Sequence, residues 1–252
     1  MNSTTTKPRI LLVHGAWGGA WVWKRVLAPL RAAGHEVFAV TLTGDGERAH
    51  LRRADIGLAT HVADVLGVVD AEELDDFVLV GHSYGGMVIT AAADRLLARP
   101  AGAAGRPRSL VYVDAMVPLP GESWSSTHTP EVQAQRLATA AGNDNALPPP
   151  DAGVFGLGAA DRAWLQRRHV AHPFGMYREP VDYDAGRWAR LPRWFIDCTE
   201  PAFPTIAAMR RRVREQPGWQ VREMKTGHFP MVSRPREFVA RLLEAIGPSG
   251  VD

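Results

Sequence analysis

The sequence predicts an α/β fold with a mostly parallel sheet of about six strands and helices on both faces. Short apolar runs rich in β-branched residues alternate with segments of helical periodicity, which is typical of a helix-covered parallel sheet. Some of these runs, such as residues 77–80, are apolar throughout, as expected for strands that are buried on both faces. The alternation stops between residues 117 and 190, which indicates an inserted helical cap.

The predicted elements follow one another along the chain in strand–helix order. Strands are expected at residues 10–13, 37–42, 77–80, 110–113, 194–197 and 219–223. Glycine and proline end helices, so we predict helices at 21–33 before Gly34, at 84–99 before Pro100, and at 236–246 before Gly247. Another helix is indicated by the spacing of Leu58, Val62, Val65, Leu66 and Val69.

Residues 117–190 are rich in proline and show only short helical pieces, at 130–141 and 160–169. A stretch of about 70 residues without strand signals is too long for a loop in a compact core. We therefore divide the chain into a polar tail at residues 1–9, a core formed by 10–116 and 191–247, and a cap at 117–190.

Composition excludes several classes of protein. The 252 residues are 46% hydrophobic and 22% charged, which argues against disorder, and no apolar run approaches the ~18–20 residues of a membrane span. We recognise no export signal in the polar start, and the single cysteine, Cys198, cannot form an internal disulfide. These features predict a cytoplasmic protein that does not bind a membrane.

The basic residues are almost all arginines, because only three of the 29 are lysines. They are scattered among nearly as many acidic residues, except for a run at 210–212 followed by Arg214. We interpret this run as the solvated face of an amphipathic helix and expect no nucleic-acid partner.

The strongest local signal is the motif Gly-His-Ser-Tyr-Gly-Gly at residues 81–86, between a predicted strand and a predicted helix. A serine at such a turn projects beyond the strand end, next to a helix N-terminus that favours negative charge. Small residues at Gly81 and Gly85 allow the sharp turn. We therefore predict Ser83 as a nucleophile.

A serine hydroxyl needs a base, and His228 is the best placed of the nine histidines. It follows the last predicted strand, so it lies at the same edge of the sheet as Ser83. His82 is expected to pack or hydrogen-bond locally. His169 and His172 have no convincing third ligand, so no metal is predicted. His35, His50, His61 and His128 are interpreted as solvated or capping residues, and so is His169.

The glycine-rich segment at residues 14–19, His-Gly-Ala-Trp-Gly-Gly, follows the first predicted strand. Its glycines would let the backbone approach a substrate, and the N–H groups of Ala16 and Tyr84 would form an oxyanion hole. A phosphate-binding loop is disfavoured because the Walker spacing is absent.

Together these motifs resemble the α/β-hydrolase superfamily, and within it the branch of hydroxynitrile lyases and methylesterases with its bacterial esterase relatives. The resemblance also includes Trp-x-Trp at 21–23, Gly-His-x-Val at 34–37, Val-Asp-Ala-Met-Val-Pro at 113–118 and Gly-His at 227–228. It extends from residue 10 to about residue 246 and is thin in the cap. It implies the α/β-hydrolase fold, the chain order serine–acid–histidine, and no cofactor.

The acid departs from this family pattern. Plant members of the branch carry Cys-Thr-Glu-Asp after the penultimate strand, where this chain has Cys-Thr-Glu-Pro at 198–201. Some α/β-hydrolases take their acid from an earlier strand, and Asp114 directly follows the strand predicted at 110–113. We therefore prefer Asp114, with Glu200 as the alternative and Asp197 as a third candidate.

These residues predict a serine hydrolase that cleaves carboxylic esters through an acyl-enzyme. The aromatic cap suggests a small to medium uncharged substrate, with Trp17, Trp124 and Phe229 as binding residues. Hydroxynitrile lyases of this branch need a threonine at Gly15 and a lysine at Phe229, so a lyase is the less favoured alternative. A non-catalytic ligand-binding protein is a second alternative, and the sequence leaves a homodimer open.

Overall fold

A computed structural model describes residues 7–247, so residues 1–6 of the predicted tail lie outside the described part. Its main sheet contains six strands, all parallel, which confirms the predicted fold class. The strands of the described part are β1 (Ile10–Val13), β2 (Val37–Val40), β3 (Phe77–His82), β4 (Pro107–Val113), β5 (Ala146–Leu147), β6 (His172–Pro173), β7 (Arg193–Cys198) and β8 (Trp219–Met224).

The strands of the main sheet lie in the spatial order β2-β1-β3-β4-β7-β8. From β1, the chain adds β2 on one side of the sheet. It then adds β3, β4, β7 and β8 in turn on the other side. The reversal falls between β1 and β3, so the loops that follow these two strands lie side by side at the carboxyl edge of the sheet, where open α/β sheets bind ligands. The central strands β1 and β3 are fully buried, whereas the edge strands β2 and β8 are partly exposed.

Helices cover both faces of this sheet. The α-helices within residues 7–247 are α1 (Lys24–Ala32), α2 (Leu58–Ala71), α3 (Gly85–Leu97), α4 (Pro130–Ala141), α5 (Ala159–Gln166), α6 (Gly175–Arg178), α7 (Ala185–Trp188), α8 (Ala207–Glu215), α9 (Pro230–Ser233) and α10 (Pro235–Ile246). Because parallel crossovers are right-handed, the oppositely directed β1–α1–β2 and β3–α3–β4 units place α1 and α3 on opposite faces. Accordingly, α1 packs against α10, and α2 packs against α3. None of the helices within 7–247 is long and apolar enough to cross a membrane.

Residues 117–190 contribute no strand to the main sheet in the described part of the chain. They form α4–α7, short 3₁₀ turns at Ser125–Thr127 and Ala152–Phe155, and an antiparallel pair of β5 with β6. The sequence predicted α4 with its observed bounds but neither β5 nor β6, because a two-residue strand is too short to show a period-two pattern. The division of the chain into core and cap stays a prediction.

Candidate active site

Three side chains meet at the carboxyl edge of the main sheet. Ser83 follows β3, Asp114 follows β4, and His228 lies in the loop after β8. Ser83 Oγ lies 2.9 Å from His228 Nε2, and His228 Nδ1 lies 2.7 Å from Asp114 Oδ2. With its proton on Nδ1, His228 donates to the carboxylate and accepts from the serine hydroxyl. This is the arrangement of a nucleophile, a base and an orienting acid.

The backbone at Ser83 holds the hydroxyl in a strained turn. Its φ of 53° lies in the left-handed region that residues with a side chain rarely adopt. The Ser83 N–H donates to the Val113 carbonyl, and the Ser83 carbonyl accepts from the N–H groups of Gly86 and Met116. These three hydrogen bonds hold the turn in place between β3 and α3.

The glycines around Ser83 are required by close contacts within the turn. A Cβ at Gly81 would lie 2.6 Å from the Gly85 carbonyl oxygen, which is closer than real Cβ atoms approach. A Cβ at Gly86 would overlap the Met116 carbonyl oxygen. The motif at residues 81–86 therefore fits this turn because its glycines leave the backbone room to close.

Asp114 is completely buried and contacts two cationic or protonatable groups. One carboxylate oxygen faces His228, and the other accepts from Arg210 Nη2 at 2.6 Å. Burial raises the pKa of Asp114 to about 7, whereas the positive charge of Arg210 opposes this rise. The Arg210 guanidinium therefore favours the charged carboxylate that can orient His228.

The other two candidate acids do not contact His228. Glu200 is exposed, and its carboxylate lies 3.3 Å from the Lys225 ammonium. Asp197 is buried but accepts hydrogen bonds from Arg210 and Arg214. Of the three acids considered from the sequence, the structure places Asp114 beside the histidine.

His228 is held on several sides and is kept neutral. Its ring packs against Phe203 and Phe155, with centroids 4.2 and 5.6 Å away, and its carbonyl accepts from His82 Nε2 at 2.8 Å. Burial lowers the pKa of His228 to about 3, with a smaller contribution from the positive charge of Arg210. A neutral imidazole at neutral pH is the form that a general base requires.

Two backbone N–H groups near Ser83 are free to bind an oxyanion. Within residues 7–247, neither the Ala16 N–H nor the Tyr84 N–H donates to another protein group. The loop after β1 approaches the turn closely, because a Cβ at Gly15 would lie only 2.7 Å from the Ser83 Cβ. Because Gly15 has no side chain, the backbone of this loop can lie directly next to Ser83.

A cavity of about 390 Å³ opens in front of Ser83. Trp17 and Trp124 both line it and meet edge to face at 5.9 Å. Phe229 does not line it; its buried ring packs against His82 and Phe155. The remaining lining residues are Tyr84, Met116, Arg136, Pro148, Pro149, Pro150, Val154, Phe203, Thr205 and Ile206.

A buried polar cluster contacts Tyr84, one of the residues that line this cavity. His61 Nε2 lies 3.0 Å from the Thr43 carbonyl, which makes it the donor, so His61 Nδ1 accepts from the Tyr84 hydroxyl at 2.9 Å. Nearby, His172 Nδ1 lies 2.7 Å from the Asp45 carboxylate, and both side chains are fully buried. Asp45 and His172 are 127 residues apart and no local motif links them, so this cluster could not be predicted from the sequence.

Several histidines differ from their sequence interpretation. His50 is exposed, but His35, His61 and His169 are buried. His169 packs against Trp21, Phe155 and Phe229, an aromatic environment that sequence spacing does not reveal. No group of three or more His, Cys, Asp or Glu side chains suited to a metal ion occurs among residues 7–247.

The arginine run is likewise not a purely solvated face. It lies on α8, where Arg210 bonds to Asp114 and Asp197, and Arg212 bonds to Glu122. The helix packs with this side toward the carboxyl edge of the sheet, so acidic residues from other elements pair with it. The amphipathic helix was predicted correctly, but its ion pairs depend on tertiary structure.

Comparison with known proteins places the chain in a family. Residues 10–242 match the model of the alpha/beta hydrolase family, and the chain belongs to it. A carbendazim-hydrolysing esterase of Nocardioides sp. (strain SG-4G) is 42% identical, with 94% of this chain and 98% of that protein covered. Methylesterase 3 of Arabidopsis thaliana is 27% identical, with 97% and 98% covered. The chain is a carboxylesterase-type hydrolase.

The solved structures support the same fold. An extracellular α/β-hydrolase of a Paenibacillus species superposes with a TM-score of 0.81 at 21% sequence identity, over 94% of this chain and 98% of that one. A pyrethroid hydrolase of Sphingobium faniae JZ-2 gives a TM-score of 0.70, also at 21% identity, over 96% and 98%.

Proposed function

We propose that the chain hydrolyses carboxylic esters through an acyl-enzyme formed on Ser83. The Ser83 Oγ attacks the ester carbonyl while His228 Nε2 takes the hydroxyl proton, and Asp114 stabilises the imidazolium that forms. His228 then gives this proton to the departing alcohol. A water molecule, deprotonated by His228, attacks the acyl-enzyme and releases the carboxylic acid.

The tetrahedral intermediates of both steps carry a negative oxygen. In this proposal, the N–H groups of Ala16 and Tyr84 donate to it, and the N-terminus of α3 adds a favourable dipole. Removing one such donor typically costs about 3–4 kcal/mol of transition-state stabilisation. No cofactor takes part in these steps.

The observation that carries the proposal is the hydrogen-bonded chain from Ser83 through His228 to Asp114. The variant Ser83→Ala should lose p-nitrophenyl ester hydrolysis and covalent labelling by a fluorophosphonate, while its melting temperature stays close to that of the parent. His50→Ala, at an exposed histidine, is the matched control and should keep both activities. Persistent turnover by purified Ser83→Ala would overturn the mechanism.

The geometry favours ester hydrolysis over the lyase alternative. The threonine of the lyases has no room at Gly15, because a Cβ there would meet the Ser83 Cβ, and Phe229 supplies no cation for cyanide. A panel of esters varied in acyl and alcohol size, with carbendazim and mandelonitrile included, tests this choice. Cyanide release faster than ester cleavage would assign the chain to the lyases instead.

A cytoplasmic location and a homodimer stay predictions. Size-exclusion chromatography with light scattering and cell fractionation would test them.

A further inference from the structure

One charged side chain stands in the wall of the cavity in front of Ser83. Arg136 projects from α4 into a lining that is otherwise formed mainly by aromatic rings, prolines and aliphatic groups. Its guanidinium carbon lies 5.3 Å from the ring centre of Trp124 and 5.5 Å from that of Tyr177. Two ring faces therefore hold the cation in the wall of the same cavity that Ser83 lines.

This guanidinium has no protein acceptor. Among residues 7–247, Arg136 takes part in no ion pair and donates no side-chain hydrogen bond, although it is half-buried. Partial burial lowers the pKa of Arg136, but an arginine stays protonated in any working range. Its neighbour His128 supplies no negative charge, and because burial and Arg136 lower the pKa of His128 to about 4, it adds no second positive charge either.

Several other partly buried arginines of the described part have carboxylate partners. Arg210 and Arg212 pair with buried or half-buried acids, and Arg187 lies 2.8 Å from Asp94. Arg136, in the cavity wall, has no such partner within residues 7–247. A half-buried guanidinium with several free donors is a strong binding group for a planar carboxylate, which it can bind with two parallel hydrogen bonds.

We infer that Arg136 binds a carboxylate carried by the substrate, so that the cavity selects half-esters of dicarboxylic acids over the corresponding neutral diesters. This inference rests on the proposed function of Ser83, since the ester end of the substrate must reach that hydroxyl. The aromatic walls formed by Trp17 and Trp124 contact the hydrocarbon part between the two ends. The sequence led us to expect an uncharged substrate, because it does not reveal that Arg136 faces the cavity. The inferred substrate instead carries a negative charge.

Monomethyl and dimethyl adipate form a matched pair for the kinetic test, because they differ in one charge at the remote end. We expect Arg136→Met to raise KM for the monomethyl ester by roughly tenfold or more and to change KM for the diester less than about twofold. Arg136→Lys, which keeps the charge, should recover part of the loss. Arg167→Met, at an exposed arginine directly after α5 that does not line the cavity, is the control and should change neither value.

Binding to the inactive variant separates this inference from the proposed function. Calorimetric titration of Ser83→Ala with monomethyl adipate should show binding that is lost, or weakened by roughly tenfold, in Ser83→Ala/Arg136→Met. This difference is expected even if the intact chain hydrolyses no ester. Equal affinity of the two variants, or an equal change of KM for both esters in Arg136→Met, would overturn the inference.

Discussion

At the scale of single residues, the decisive feature is that Asp114, rather than Glu200, reaches the base. Its carboxylate accepts from His228 Nδ1 and fixes the tautomer in which Nε2 faces Ser83. The variant Asp114→Asn keeps the size of the side chain but cannot stabilise the imidazolium. We expect kcat for p-nitrophenyl acetate to fall by roughly three to four orders of magnitude.

The matched control for this prediction is Glu200→Gln, since Glu200 is exposed and pairs with Lys225 alone in the described part. Its kcat should stay within about twofold of the parent value. A large fall of kcat in Glu200→Gln, with Asp114→Asn still active, would assign the acid to Glu200.

Arg210 connects the acid to the pH dependence of the rate. Hydrolysis needs a neutral His228 and a charged Asp114, and the positive charge of Arg210 lowers the pKa of both groups, so kcat/KM should fall in acidic solution. Removing this positive charge in Arg210→Met favours the protonated imidazole. The acid limb of kcat/KM, measured from initial rates, should therefore move to higher pH.

Arg210→Lys keeps the charge beside Asp114 and should leave the acid limb closer to its position in the parent. A limb that moves to lower pH in Arg210→Met would show that Arg210 does not lower the pKa of His228.

At the scale of elements, the junction of β3 with α3 depends on glycine at Gly86. A methyl group there would overlap the Met116 carbonyl oxygen, so backbone must move. We expect Gly86→Ala to lower the free energy of unfolding by roughly 1–3 kcal/mol, measured by urea denaturation. Loss of ester hydrolysis should accompany it, because the same junction positions Ser83.

Gly67 serves as the control, because it lies within α2 and a Cβ at this position would meet no atom within 4 Å. Alanine at this exposed helical position should raise the free energy of unfolding by about 0.5–1 kcal/mol. Equal effects of Gly67→Ala and Gly86→Ala would contradict the steric explanation.

The elements of the main sheet could be predicted because their signals are local. Apolar runs located each strand, but β3 continues through Gly81 and His82, which have weak strand preference, because β4 pairs with them. The helix predicted at 21–33 begins instead as a 3₁₀ turn, Ala20–Trp23, before α1. Pairing and packing with distant elements shifted these bounds, and no local pattern contains that information.

Some residues of the candidate site could likewise be predicted from local sequence, whereas others could not. Ser83, Asp114 and His228 could be predicted because each directly follows a strand or stands in a motif. Arg136 could not, since it lies in an amphipathic helix among other polar residues, and only the fold shows which of them faces the cavity. Phe229 lies next to His228 in sequence, but its ring turns into the core.

At the scale of the whole molecule, buried histidines couple stability to pH. Burial is the largest cause of a lowered pKa for His14, His61, His82, His128, His169, His172 and His228. Below pH 6.5 these histidines bind protons in the unfolded chain but stay neutral in the folded chain. The free energy of unfolding therefore falls as pH falls. Asp45 and Asp114, whose pKa values are raised to about 7, act in the opposite direction but are fewer.

His169 allows a test that leaves the active site intact. It is buried, neither ring nitrogen has a partner in the described part, and its pKa is lowered to about 4. Between pH 6.5 and 4 such a group contributes at most about 1.4 kcal/mol of lost stability per pH unit. His169→Phe suits the aromatic surroundings and should make the fall of the unfolding free energy less steep, whereas His50→Gln, at an exposed site, should not. Urea titrations at several pH values measure these slopes, and superimposable slopes for His169→Phe and the parent would contradict the assignment of acid lability to buried imidazoles.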